Sequence, residues 1–425
     1  MTKNDELILL TEKASLRFFG GAGEIGGNQI LLEADDTRIF LDMGLNLSRY
    51  NEYFKKFFSE PKDVSELTEV GLIPDLKELD AIDACLISHA HTDHWKSIVA
   101  MPKNTKVYTN SCTKRLIDAS ISSSRSKIEH YDHLDFHQFK TNETIKIRNI
   151  TVEAFSVDHS VPGANAFLVH TTAGTLAYSG DFRLHGRYQP STYFWEPVKE
   201  RGERIESLIC EATNSGHLLS TQTEKDVEMH CVSCIEKCKR LVIVDISAND
   251  TERIRTLLNV AMKTNRKMLA TKRIIKSLKA LQNEPEMYLP KVEEMASFEE
   301  MSQHARNNPN KYLVCTSFYG EKEVRELMPP PSSLYILSSS EPFEEEREID
   351  FRRLQNWLNI YGVPMYQIHS SGHSFPLDLR YVVQKLKPRT VFPVHTIFPE
   401  AFRKLVEDVT SVMIPSKNER YHIGN

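Results

Sequence analysis

The sequence predicts an α/β protein of layered sheets with a second, parallel-sheet unit set inside it, and three observations carry that reading. From about residue 15 to 178, short apolar strands follow one another with few helices between. From about 210 to 365, apolar runs such as Leu241-Val242-Ile243-Val244 and Tyr312-Leu313-Val314-Cys315 alternate with long helical patterns, as a parallel sheet with crossover helices requires. Finally, single polar residues recur where strands give out, at one edge of a layered fold where loops converge.

The first strands are Leu16-Arg17-Phe18-Phe19, Gln29-Ile30-Leu31-Leu32-Glu33 and Thr37-Arg38-Ile39-Phe40-Leu41-Asp42. Between the first two lies Gly20-Gly21-Ala22-Gly23-Glu24-Ile25-Gly26-Gly27-Asn28, a formal G-x-G-x-x-G. A dinucleotide site needs a helix after those glycines. The next segment alternates as a strand does, so a tight glycine turn is expected instead. Residues 51–80 are charged and read as helical or irregular, overhanging the site. The buried strand Ala84-Cys85-Leu86-Ile87 follows, then a helix over 95–100. Strands at 144–147 and 151–157 lead to His159, and 166–170 pairs with 174–178 before Ser179-Gly180-Asp181. Residues 199–207 read as a charged helix and Leu208-Ile209-Cys210 as a strand ending at Glu211. Short strands return at 365–369 and 390–395. Pro329-Pro330-Pro331 reads as a loop.

With 425 residues the chain is long enough for two cores. Its 40% hydrophobic and 26% charged residues are those of a water-soluble globular protein, and no apolar stretch approaches the ~20 residues that cross a bilayer. The acidic start lacks the pattern of a signal peptide, and seven cysteines, an odd number, argue against a disulfide framework. A cytoplasmic protein is expected. The net charge of −5 gives a nucleic-acid partner no support but does not exclude one, because metal ions and a local basic strip can hold a phosphodiester backbone.

The unusual residue is histidine, with 16 copies. His89-Ala90-His91-Thr92-Asp93-His94 sits on the turn leaving the strand 84–87, and neutral imidazole with carboxylate suits zinc or a similar divalent ion. Four donors on one tight loop cannot all reach one tetrahedral ion, so two ions completed from elsewhere are the better reading. Asp42, His159, Asp181, Glu211, His373 and His395 share the strand-end placement.

These residues resemble the metallo-β-lactamase fold, and the interruption between Asp181 and the last histidines resembles its β-CASP branch. Ser156-Val157-Asp158-His159-Ser160-Val161-Pro162, Ser179-Gly180-Asp181-Phe182, Glu211-Ala212-Thr213-Asn214, His369-Ser370-Ser371-Gly372-His373 and Pro393-Val394-His395 each resemble a ribonuclease J block, in the same order. The glycine turn ending at Asn28 and Ser338-Ser339-Ser340 also fit. The resemblance implies an αββα sandwich interrupted by an inserted α/β domain with a parallel sheet: residues 1–208 and 365–425 for the sandwich, 209–364 for the β-CASP insertion.

It further implies two Zn2+ ions, with Mn2+ or Mg2+ as alternatives. His89, His91 and His159 would hold one, Asp93, His94 and His395 the other, with Asp181 bridging. Asp42 would support the site from behind. His373 would be the general acid or phosphate contact, oriented by Glu211. Ser317 and Ser339 would contact substrate. The implied activity is two-metal hydrolysis of single-stranded RNA, as an exo- or endoribonuclease. A histidine at position 395 resembles the RNA-processing members, where the DNA-repair members carry an aliphatic residue. A DNA nuclease of the same fold, a hydrolase of a small ester or nucleotide, and a binding protein without turnover are the rivals. A homodimer is a fold-level expectation and a membrane partner is not expected.

The chain departs from its relatives at Trp95-Lys96, where an indole would narrow the cleft or stack on a base, and in Thr316-Ser317-Phe318-Tyr319-Gly320-Glu321, where aromatics replace small residues. Without the further domains of its larger relatives, it resembles the minimal two-domain form. Cys231, Cys234 and Cys238, after His230, follow the spacing of a buried helix face rather than a metal site. His130, His133 and His137 also have helical spacing and fit surface or structural roles. The basic series Lys263, Arg266, Lys267, Lys272, Arg273, Lys276 and Lys279 reads as a solvated face, with a phosphate strip as the alternative. The acidic run 341–350 reads as the start of a helix.

Overall fold

The computed structural model describes residues 14–54, 59–77, 79, 81–124, 126, 128, 130–216, 222–284, 290–339 and 345–424. The acidic start of the chain, Ser340 and residues 341–344 of the acidic run lie outside the described residues; the helix that follows runs Glu345–Tyr361.

Two seven-stranded sheets form a sandwich. The first holds β1 (Ala14–Gly20), β2 (Gln29–Ala34), β3 (Thr37–Met43), β4 (Ala84–Ile87), β5 (Lys106–Asn110) and β6 (Asp135–Phe139), with β20 (Arg420–Ile423) beside β1. The second holds β7 (Thr144–Ile147), β8 (Ile150–Ser156), β9 (Asn165–Thr171), β10 (Gly174–Tyr178) and β11 (Ile205–Glu211), followed by β18 (Thr390–Val394) and β19 (Ser411–Val412). Alternation along the strands decides the layers. In β2, Ile30 and Leu32 face the second sheet in a core with Val152, Phe167 and Phe392, whereas Leu31 faces outward to Phe40 and Trp95. The rings of Phe18 and Phe392 meet across the interior at 5.5 Å. Helices cover both outer faces, including Pro376–Leu386 and Pro399–Val406 on the second sheet.

A six-stranded, all-parallel third sheet comprises β12 (Val242–Asp245), β13 (Lys267–Ala270), β14 (Ala296–Ser297), β15 (Tyr312–Thr316), β16 (Leu334–Leu337) and β17 (Met365–Gln367). Its central strands are buried on both faces, which explains their unbroken apolar runs. Val242 and Val244 pack on one side and Ile243 on the other.

Several boundaries differ from the sequence expectation. β11 stays in the second sheet through Glu211, and β17 belongs to the third sheet, so the strands cross later than 208 and 364 at both ends. The expected helix 199–207 is a helix over Glu196–Glu200 and then strand from Ile205, because Ile205 and Ser207 are buried in sheet register. Residues 92–100 form a short α-helix, Thr92–Trp95, then a 3-10 turn, Lys96–Ala100. The segment expected to overhang the site instead sends Leu67, Leu72 and Ile73 into the core beneath the first sheet. Trp95 does not reach the cleft. It is 1% exposed, and its indole N–H donates to the Ala90 carbonyl at 3.0 Å.

The other sequence features fall as follows. The glycine segment joins antiparallel β1 and β2 with no helix after it. Cys231 is buried in the third sheet's core, with Cys234 and Cys238 packed against it. His137 lies in β6, while His130 and His133 flank turns, so their helical spacing is coincidental. In the basic series, Arg266 donates to the Cys238 and Tyr312 carbonyls, Lys263 pairs with Glu228, and Lys276 donates to Ser122 and Ser123. These contacts are structural. No helix among the described residues is long and apolar enough to cross a membrane.

Candidate metal centre

The strand ends that carry the polar residues lie together. Asp42 is in β3, His89 follows β4, His159 follows β8 and Asp181 follows β10. Glu211 ends β11 opposite Val394 of β18, so His395 is set beside it. His89, His91, His159 and Asp181 form one group, and Asp93, His94 and His395 a second, with donor atoms in each group within 4.8 Å of one another. Oδ2 of Asp181 also lies 3.1 Å from His94 Nε2 and 3.6 Å from His395 Nε2, so this carboxylate faces both groups.

What turns the ring nitrogens inward is a set of hydrogen bonds behind them. Asp42 is fully buried and its oxygens accept from Ser88 N at 2.7 Å, Ser88 Oγ at 2.6 Å, Tyr178 OH at 2.6 Å and His94 Nδ1 at 2.7 Å. Having given its proton to Asp42, the Ser88 hydroxyl accepts from His89 Nδ1 at 3.0 Å. His159 Nδ1 donates to the Gly372 carbonyl at 2.5 Å, and His395 Nδ1 to Thr213 Oγ1 at 2.9 Å. With its proton on Nδ1, each of these rings turns Nε2 toward the cluster, the arrangement a metal-binding imidazole needs.

Two non-glycine residues here, Asp42 and His395, have φ of 59° and 58°, a backbone strain of about 1–3 kcal/mol each that tight surroundings hold in place. The glycine turn is part of those surroundings: Gly21's carbonyl accepts the His395 N–H at 2.7 Å. A Cβ on Gly26 would stand 2.7 Å from Asp93 Oδ2.

The charges agree with the geometry. Burial, aided by His94 and His159, pushes His89 well below the usual imidazole range, and burial first of all takes His91 down to about 4 and lowers His159. Burial would raise the carboxyls of Asp93 and Asp181, but the neighbouring histidines, His94 and His395 above all, reverse this and keep both low. For His94, burial is outweighed by Asp181 and Asp42, and the ring is pushed up. His94 Nε2 and Asp181 Oδ1 are buried with no hydrogen-bond partner, although such atoms are normally satisfied. Neutral imidazoles at His89, His91 and His159, ionised carboxylates at Asp93 and Asp181 and a buried, unpartnered Asp181 Oδ1 fit a divalent metal site.

His373 adjoins both groups, its Nδ1 3.8 Å from Asp181 Oδ2. Burial would lower this ring, but Asp181 and Glu211 raise it above the ordinary imidazole value. Glu211 is not its direct hydrogen-bond partner: their closest approach is 3.5 Å, whereas Thr213 Oγ1 lies 3.1 Å from His373 Nδ1 and 2.8 Å from Glu211 Oε2. Asp42, completely buried, reaches the metal-facing residues through His94 directly and His89 by way of Ser88. Ser317 and Ser339 follow β15 and β16 on the third sheet, and the Ser339 hydroxyl donates to Asp245 at 2.7 Å. The contacts that tie the cluster together run through other residues: Ser88, Thr213, Tyr178 and Gly372. Ser88 and Thr213 lie next to or two residues from His89 and Glu211, so a hydroxyl beside a donor was the signal available in the sequence.

Comparison with known proteins agrees with this architecture. A model described as "Beta-lactamase superfamily domain" matches residues 67–218. Ribonuclease J 1 of Streptococcus pyogenes is 26% identical over 403 residues, covering 88% of this chain and 67% of that protein. The chain is ribonuclease J-like. It shares the α/β architecture of the metallo-β-lactamase and β-CASP group and the enzyme class of metal-dependent hydrolases. Ribonuclease J 2 of Staphylococcus aureus is 23% identical over 406 residues, covering 89% of this chain and 68% of that protein. A solved structure of a protein of unknown function from Enterococcus faecalis V583 superposes with a TM-score of 0.75 at 21% identity, covering 97% of this chain and all of that one, a likeness of fold.

Proposed function

We propose that this protein hydrolyses single-stranded RNA at two zinc ions, one held by His89, His91 and His159, the other by Asp93, His94 and His395, with Asp181 shared. The observation that carries the reading is the convergence of these seven donors, with Asp181 facing both groups. The likeness to ribonuclease J along 88% of the chain supports RNA as the substrate. The ions would supply Lewis-acid stabilisation of the charge that grows on the phosphate oxygens.

The chain's own groups do the rest. Asp181 and Glu211 favour the protonated form of His373, which suits it to give a proton to the leaving oxygen. A cleft beside His159 is lined from the sandwich by Asp158, Val161 and Tyr188 and from the third-sheet part by Thr251, Glu252 and Glu284. A strand lying there would meet both parts. The inserted domain, on this reading, is the third-sheet part, and Ser317 and Ser339 at its carboxyl edge remain the substrate contacts proposed for it.

The test is to incubate zinc-loaded protein with matched end-labelled single-stranded RNA and DNA beside an Asp181→Ala control. The expected result is metal-dependent cleavage of RNA alone, absent in the control, with the product ladder separating exo- from endonuclease action. Equal cleavage of DNA points to a DNA nuclease of this fold. Intact strands of both kinds, with zinc shown to be bound, point to a hydrolase of small esters or nucleotides.

A further inference from the structure

We infer that Thr213 is a positioning residue whose one hydroxyl sets the ring orientation and tautomer of His395 and His373 together, so that the second ion and the proton-donating side of the site depend on each other. The inference rests on the two-ion reading above. Thr213 Oγ1 has three partners: Glu211 Oε2 at 2.8 Å, His395 Nδ1 at 2.9 Å and His373 Nδ1 at 3.1 Å. A hydroxyl has one proton and two lone pairs. Glu211 is the acceptor at this junction: its Oε2 also receives the Thr213 N–H at 3.0 Å, and its Oε1 receives the Ser374 N–H at 3.1 Å. The hydroxyl proton therefore goes to Glu211, and the two lone pairs are left for two Nδ1–H groups. If the hydroxyl turned to donate to His395 instead, that ring would carry its proton on Nε2, the atom that faces Asp93 Oδ2 at 3.1 Å. That tautomer cannot bind an ion there.

The position of Thr213 gives this arrangement its meaning. Thr213 follows the last residues of β11, where the chain leaves the sandwich for the third-sheet part, and His373 lies on the segment by which it returns. Asn214 stitches the same two segments, its side-chain amide reaching the carbonyls of His373 at 3.1 Å and Ser374 at 3.2 Å. Thr213 is thus the point at which the outgoing chain, the returning chain and His395, just after β18, are held by one oxygen.

The experiment compares the full chain as wild type, Thr213→Val, Thr213→Ser and Thr213→Ala by titrating Zn2+ into the metal-free protein against a chromophoric competitor. In Thr213→Val, which keeps the shape and removes the hydroxyl, the first ion should bind as in wild type. The second should weaken by about 10–100-fold, the usual effect of removing a hydrogen-bond partner behind a ligand. Thr213→Ser should restore the second affinity, and at saturating zinc the valine change should lower kcat with little change in KM. Thr213→Ala carries the same test should valine prevent folding. Two wild-type binding steps in the valine and alanine variants, or a serine variant as weak as valine, would overturn the inference. The titration needs no substrate, so a wild-type protein that binds two ions but cleaves no RNA would refute the substrate reading while still deciding this one.

Discussion

The two sides of the site use the same three-part device in different surroundings. On one side the chain of contacts is Asp42, Ser88 and His89; on the other it is Glu211, Thr213 and His395. In both, a buried carboxylate takes a hydroxyl proton and the hydroxyl oxygen accepts from the back of a ring. Asp42 and Ser88 are wholly buried between strands of the first sheet, and Asp42 also holds His94 directly. Thr213 sits where the chain crosses to the third sheet and serves two rings. The first side is therefore fixed by the packing of the sandwich itself. The second is fixed only when the outgoing and returning segments are in place. His159 shares something of both, since its partner carbonyl belongs to Gly372 on the returning segment.

That contrast can be broken at its common point first. Asp181 faces both groups, so Asp181→Asn should abolish stoichiometric binding of both ions and, with it, metal-dependent RNA cleavage; elemental analysis after dialysis, with initial rates, checks it. One tightly held ion in this variant would mean that the two groups are independent. Next in size is His373→Ala, which should leave both ions bound and lower kcat by about 10²-fold, the lower end for loss of a general acid. Full activity there would remove His373 from proton transfer.

Asp42→Asn sharpens the comparison, because it weakens a residue behind His94 directly and behind His89 through Ser88. Zinc titration should show both steps weakened, by about 10–100-fold, where the change at Thr213 weakens one. The smallest effect is expected from Trp95→Phe. It removes one hydrogen bond in the core, so thermal or urea unfolding should show a loss of about 1 kcal/mol while zinc affinity and turnover stay unchanged. A change in cleavage without a change in stability would return the indole to the cleft.

Much of this was legible in the residues because each signal had a specific physical cause. Strands buried on both faces, such as Leu241-Val242-Ile243-Val244, cannot hide their apolar runs, and imidazoles clustered beside a carboxylate have few uses other than a metal. The hydroxyls were harder. Serine and threonine are common and cheap to solvate, so nothing in Ser88 or Thr213 alone separates a buried relay from a surface turn. Trp95 was misread for a related reason. Its neighbours in sequence face the site, but the turn of the short helix Thr92–Trp95 swings its ring into the core with Ile98 and Met101. The crossing points were placed too early because an apolar run shows where a strand is buried and not which sheet it joins, as Cys210 and Met365 illustrate.

The most direct measurement of the central claim is anomalous scattering at the zinc edge from crystals of the zinc-loaded protein. The account predicts two peaks about 3.5–4 Å apart, one among His89, His91 and His159 and one among Asp93, His94 and His395, with Asp181 between them. A single peak, or two peaks with His159 or His395 turned away from both, would contradict it.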